Sequence, residues 1–166
     1  MGVAAVLRPG VPMGFIDGVP FVAALGAAEA MGARVAWPHD VVGEDGEPLA
    51  HVATRAGYDD EGIYVTCELE GDAAGEAAMD AAAARVDAWA AKVAAGSKAG
   101  PLAAVLEEYF DACLLMGKPV AVVRNDGSVA CKGTLAGMDI WGRVTVKLVD
   151  GRDVEIAPGQ ASVRAP

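Results

Sequence analysis

Positive charge is scarce in this sequence. Its 166 residues include 13 Lys and Arg against 23 Asp and Glu, a formal net charge of −10 at pH 7. Proteins that follow a phosphate backbone draw their affinity from clustered Lys and Arg, so nucleic acid is not an expected partner. Aromatic residues are also few, at 5%, and the hydrophobic fraction of 54% leans on alanine, beside 21 glycines. Alanine buries little area, and burial is worth only about 25 cal/mol per Å². The core is therefore thinner than the apolar fraction suggests, although that fraction excludes wholesale disorder.

Cysteine is limited to Cys67, Cys113 and Cys131. An odd count without a Cys-x-x-Cys pair argues against a disulfide framework or a zinc ribbon. It predicts reduced thiols in the cytoplasm, acting as small buried hydrophobes. No uninterrupted apolar run reaches the roughly 18–20 residues of a membrane helix. Met1–Arg8 has no basic segment ahead of an apolar one, so neither a membrane span nor a signal peptide is expected.

What is present reads first as mixed α and β structure. Val3–Leu7 predicts a strand stopped by Pro9 and Gly10. Asp17 is placed to cap a helix running to about Met31, with Gly32 beyond its end. Strands are predicted at Arg34–Trp37, at Leu49–Thr54 and, from the clean alternation of Ile63, Val65, Cys67 and Leu69, at Ile63–Leu69. Tyr58–Gly62 reads as a solvated acidic turn. Met79, Ala82, Val86, Trp89 and Val93 recur at helical spacing between about Gly75 and Ala95. A second helix is expected to start at Pro101 and to carry Leu102, Val105, Leu106, Tyr109, Phe110 and Cys113 as its apolar stripe. Both stripes are most simply core.

From Gly117 onward the texture is all-β. Lys118–Arg124, Val129–Leu135, Val144–Val149, Val154–Ile156 and Ala161–Arg164 are short strand-like runs separated by turns such as Asn125-Asp126-Gly127 and Asp150-Gly151. Asx-Gly between such runs signals hairpins, and a run of short strands predicts a small closed barrel. The expected plan is an α+β domain over 1–116 and a small β-barrel domain over 117–166.

Several features in order resemble the biotin protein ligase family, related to lipoate–protein ligases. Leu7-Arg8-Pro9 is similar to the end of the family's strand before its first core helix. Val35-Ala36-Trp37-Pro38-His39-Asp40 resembles its Lys-Trp-Pro-Asn-Asp motif. Pro48-Leu49-Ala50-His51-Val52 stands where a Lys-Leu-Ala-Gly-Ile strand would be, and Ile63–Glu70 where a strand ends Gly-Ile-Gly-Ile-Asn. Gly117-Lys118-Pro119-Val120, the Gly133–Gly142 segment and Gly159-Gln160-Ala161-Ser162-Val163-Arg164 are similar to the family's SH3-like C-terminal domain. The resemblance implies a mixed-sheet ligase domain, here without its N-terminal substrate-binding part, followed by an SH3-like barrel. The family's Arg- and Gly-rich loop lies upstream of the strand that begins here at Val3.

As the resemblance implies, such enzymes use ATP, Mg²⁺ and biotin or lipoate, and transfer the acyl group to a carrier-protein lysine. That chemistry needs cations at the phosphates and glycines where backbone lies against ligand. This sequence departs at most of those positions. Ala36 stands in place of the first lysine, His39 of the asparagine, Pro48 of the second lysine, and His51 of a glycine. Thr66 and Glu68 replace the strand glycines, and Glu70 replaces the terminal asparagine. A charge-assisted contact is worth roughly 1.5–3 kcal/mol, so losing several leads us to expect no adenylation by this chain alone, no catalytic residue and no bound cofactor.

The remnant pocket is expected to comprise Trp37, Pro38, His39, Asp40, His51, Glu68 and Glu70. His39, Asp40 and His51 also suggest a divalent metal site. The plainer alternative is an Asp40 turn cap with two solvated or hydrogen-bonded histidines. Trp37 is expected in the core or pocket wall, and Trp141 on an exposed turn that either touches a ligand or packs on its own barrel. Three functions follow: an inactive ligase-like binding or assembly module, an accessory subunit completed by a partner ligase chain, or a small-ligand sensor. A carrier protein and a homodimer are the expected partners.

Overall fold

The computed structural model describes residues 2–166. Two five-stranded antiparallel sheets and three helices give an α+β fold. In the first sheet, β1 (Gly2–Leu7), β2 (Arg34–Ala36), β3 (Asp40–Val42), β4 (Pro48–Asp59) and β5 (Gly62–Glu70) are ordered β1-β5-β4-β3-β2. The central hairpin β4–β5 is longer than the sequence suggests. Its ladder runs on to Asp59↔Gly62, so the turn shrinks to Asp60 and Glu61 and Arg55–Tyr58 are paired residues. The short strand β3 carries no periodic signal of its own. It exists because it pairs with both β2 and β4.

One face of this sheet carries the helices. Val41, Val52, Val65, Cys67 and Leu69 point inward and are buried. Against them lie α1 (Val19–Met31) and α2 (Glu76–Ala94). Every residue of α1 from Val19 to Ala28 is buried, so its apolar character runs all the way round, as expected of a helix inside a core. With the preceding 3₁₀ turn, Met13–Met31 is long and apolar enough to cross a membrane by length and composition, yet it is mostly buried within the fold. Gly26 lets α1 and α2 approach closely: a Cβ there would sit 2.6 Å from the Ala81 carbonyl oxygen and 2.8 Å from Ala82 Cα.

Asp17 does not cap α1. It lies within the 3₁₀ turn Met13–Gly18, Gly18 takes the cap position without a side-chain bond, and Pro20 occupies the first turn, where its missing N–H costs nothing. The helix expected from Pro101 is also shorter, α3 covering only Leu106–Ala112. Its first turn is lost to other partners. The Leu102 N–H donates to the Ile140 carbonyl at 2.9 Å, and the Pro101 carbonyl accepts from Trp89 Nε1 at 2.7 Å.

The second sheet contains β6 (Pro119–Arg124), β7 (Val129–Met138), β8 (Val144–Leu148), β9 (Asp153–Ile156) and β10 (Ala161–Arg164), ordered β10-β6-β7-β8-β9. The predicted strands are present, but the sheet does not close into a barrel: β9 and β10 stand at opposite edges, and the isolated bridge Pro158↔Ala161 lies within the connection that leads into β10. The chain between them is spent on a tight turn. The Ala157 N–H donates to Gln160 Oε1, the Gln160 N–H donates to the Ala157 carbonyl, and Pro158 has no N–H to offer. Cys67 and Cys113 are buried and Cys131 is half-buried, all as free thiols. Burial pushes the Cys67 thiol up to about 11, so it behaves as a packed hydrophobe.

Candidate functional site

The side of the first sheet away from the helices carries a transverse row of side chains. In antiparallel pairs, directly opposed residues share a face. The register pairs Ala36 with Asp40, Asp40 with His51, His51 with Glu70, and Glu70 with Gly2. A second row, Ala53–Glu68–Ala4, lies beside it. The strands thus gather Asp40, His51, Glu68 and Glu70 on one open face floored by small residues.

Within the row, Asp40 Oδ1 lies 2.5 Å from His51 Nδ1. That hydrogen bond, ahead of the nearby negative charge of Asp40 and Glu70, raises the His51 pKa despite partial burial. An imidazole held through Nδ1 by a carboxylate keeps Nε2 for other partners.

Trp37, Pro38 and His39 fall elsewhere. Trp37 is buried in the core, and its Nε1 donates to the Gly142 carbonyl of the second sheet at 2.8 Å. The Pro38 carbonyl accepts from the buried Tyr109 hydroxyl at 3.0 Å. His39 turns toward the helices, its ring edge-on to Phe21 with centroids 4.6 Å apart. Burial, and then the charge of His51, lower its pKa to about 4. Its Nε2 is buried without a hydrogen-bond partner. The set considered for a metal is therefore divided between two sides of the sheet. Among the described residues no group of three or more His, Cys, Asp or Glu is placed to hold a metal ion.

A cleft of about 630 Å³ opens on the helix side of the first sheet, between it, the start of α1 and the β7–β8 turn of the second sheet. His39 and Thr54 line it from the first sheet; Trp141 and Arg143 line it from the turn between β7 and β8. Trp141 alone was legible as a candidate contact, from its place in a Gly-bounded turn. Arg143 carried a weaker signal, the Asp139–Arg143 spacing within that turn.

This architecture recurs in solved structures. The biotin protein ligase of Aquifex aeolicus in complex with biotin and ATP superposes with a TM-score of 0.65 at 15% identity, over 99% of this chain and 78% of the ligase. The fold is biotin protein ligase-like. The apo form of the Aquifex enzyme gives a TM-score of 0.68 at 16% identity, over 99% of this chain and 82% of that one. A biotin protein ligase-like protein of unknown function from Silicibacter sp. gives 0.58 at 16% identity, over 98% and 76%. No protein-family model matches the sequence, and no curated protein does.

Proposed function

We propose that this chain is a binding or assembly module built on the biotin protein ligase-like fold, without adenylation activity of its own. The observation that carries this reading is the row Ala36–Asp40–His51–Glu70 on the open sheet face. By the motif resemblance, this face holds the positions where a ligase would have a lysine and the glycines and asparagine of its ligand strand. Here it holds Ala36, His51, Glu68 and Glu70 instead, beside Asp40, which matches the motif's own aspartate. Two like charges 4 Å apart repel by about 1 kcal/mol even in bulk water, and by more in a partly enclosed site. Such a face does not fit a nucleotide triphosphate, and no step through ATP, Mg²⁺ or biotin is derived for it. It suits a neutral or cationic partner surface.

The decisive test is incubation of the purified chain with ATP, biotin or lipoate and a carrier domain. Neither AMP nor acylated carrier is expected; formation of either at a rate above the buffer control overturns the proposal.

A second reading is favoured by the small-residue floor of Gly2, Ala4, Ala36 and Ala53 on that face. It leaves room for a segment of a partner ligase chain that brings its own lysines and arginines, making this chain an accessory subunit. Activity that appears only on mixing the two chains supports it, and absence of association removes it.

The division into 1–116 and 117–166, the second unit an SH3-like module, belongs to the same proposal. So does a twofold homodimer through β1, which has β5 on one side and no strand on the other. Sedimentation at micromolar concentration should give the dimer mass; a monomer mass contradicts it.

A further inference from the structure

The cleft between the sheets is built more rigidly than a chance crevice. Asp139 organises the turn that carries Trp141 and Arg143: its Oδ1 accepts from the backbone N–H of Trp141 at 2.9 Å and of Arg143 at 3.0 Å, and its Oδ2 accepts from Arg143 Nε at 2.7 Å. The same turn is fastened at two further points, to the end of β2 through Trp37 Nε1 on the Gly142 carbonyl and to the segment before α3 through the Leu102 N–H on the Ile140 carbonyl. Gly142 has φ +85°, and a Cβ there would lie 2.5 Å from Phe21 Cζ, so the seam beneath the turn is closed. A side chain held this way loses little further freedom on binding, which favours affinity.

On this fixed turn Trp141 is 50% exposed, a large aromatic surface left in water beside a recess. Pro20, Phe21 and Pro158 supply the apolar walls. The polar groups are few: His39, uncharged near neutral pH, and Thr54 sit on one wall, and two charges of opposite sign face the recess, Asp17 from the turn before α1 and Arg143 from the β7–β8 turn. An apolar recess with a small number of placed polar groups is the usual form of a small-molecule site. One carboxylate and one guanidinium, the latter already shared with Asp139, give no surplus of positive charge for a polyphosphate. Asp139 engages Arg143 through Nε alone, so the terminal N–H groups can meet a ligand carboxylate while Asp17 meets an ammonium. Indole offers a face for stacking another ring.

We infer that the cleft between the two sheets binds a small zwitterionic aromatic compound, of the class of a free aromatic amino acid. Its ring lies against Trp141, its carboxylate meets Arg143 and its ammonium meets Asp17. This site lies across the sheet from the Asp40–His51–Glu70 row, since Thr54 pairs with the inward-facing Cys67 whereas His51 pairs with Glu70. It therefore stands whether or not the chain adenylates anything.

The test uses the full chain with L-phenylalanine as probe, and with 3-phenylpropionate and phenethylamine as analogues lacking one charge each. Trp37 and Trp89 are buried, so a ligand-induced change in indole fluorescence reports chiefly on Trp141, and calorimetry gives a second readout. L-Phenylalanine should saturate the signal, each analogue should bind about tenfold more weakly or worse, and Arg143→Ala and Trp141→Ala should each cost about tenfold in affinity by calorimetry. His51→Ala, on the opposite face, should leave binding unchanged. Both cleft residues are exposed, and an unchanged melting temperature confirms that the variants fold. Absence of saturable binding up to ~10 mM, where a millimolar ligand would be bound, overturns the inference. Equal affinity for all three compounds, or wild-type affinity in the Arg143 and Trp141 variants, does so equally.

Discussion

Asp40 and His51 face each other across the β3–β4 pair, with Oδ1 and Nδ1 2.5 Å apart. The bond fixes which nitrogen is engaged and raises the affinity of the ring for its proton. Because the folded pKa lies above the unfolded value near 6.5, the associated stability is fully present below that value and is lost as pH rises through the folded pKa. NMR titration should show His51 with a pKa above 6.5, returning toward it in Asp40→Asn. Both side chains are about half exposed, so the variant should cost less than about 1 kcal/mol.

His39 should behave in the opposite sense. Its folded pKa of about 4 lies below the unfolded value, so the unfolded chain takes up the proton first and stability falls as pH drops from about 6.5 toward 4. The full cost is on the order of 3 kcal/mol at 1.36 kcal/mol per unit. His39→Phe should remove this part of the acid sensitivity. Denaturation curves at pH 7 and pH 4.5 check it: an equal loss in wild type and variant contradicts the assignment.

Substitution of Gly26 should be destabilising. Alanine ordinarily gains up to about 1 kcal/mol over glycine in a helix interior. Here the added Cβ would meet backbone of α2 at 2.6–2.8 Å, and overpacking of this kind typically costs 1–3 kcal/mol. Gly26→Ala is expected to lower the urea midpoint, and Gly26→Val to lower it further.

Trp37→Phe keeps an aromatic ring but leaves the Gly142 carbonyl without the indole donor. An unsatisfied buried acceptor costs about 1–3 kcal/mol. The loss should be accompanied by faster amide exchange at Gly142 and Arg143, because that bond ties their turn to the first sheet. Loss of stability without such a local change would show that Trp37 acts only through packing.

Much of the fold was legible because periodicity survives in short segments. The alternation of Ile63, Val65, Cys67 and Leu69 gave β5, and the spacing of Met79, Val86, Trp89 and Val93 gave α2. Elements without periodicity were not legible. β3 is three residues long and exists through its two neighbours, and the turn at Leu102 was decided by the Ile140 carbonyl on another sheet. That the second sheet stays open was likewise invisible, since it depends on where the Ala157–Gln160 turn directs β10.

The candidate site divides along the same line. Residue types alone determined that Asp40, Glu68 and Glu70 are acidic, with the lysines of the family motif absent beside them. Which of the flagged residues meet was a matter of strand register. A one-residue step in a strand exchanges one face for the other, so Asp40 and His39, adjacent in sequence, serve opposite sides of the sheet. The cleft of Asp17, Thr54, Trp141 and Arg143 draws on segments more than a hundred residues apart. Only the packing of the two sheets, closed over Phe21 and Gly142, brings them to one place.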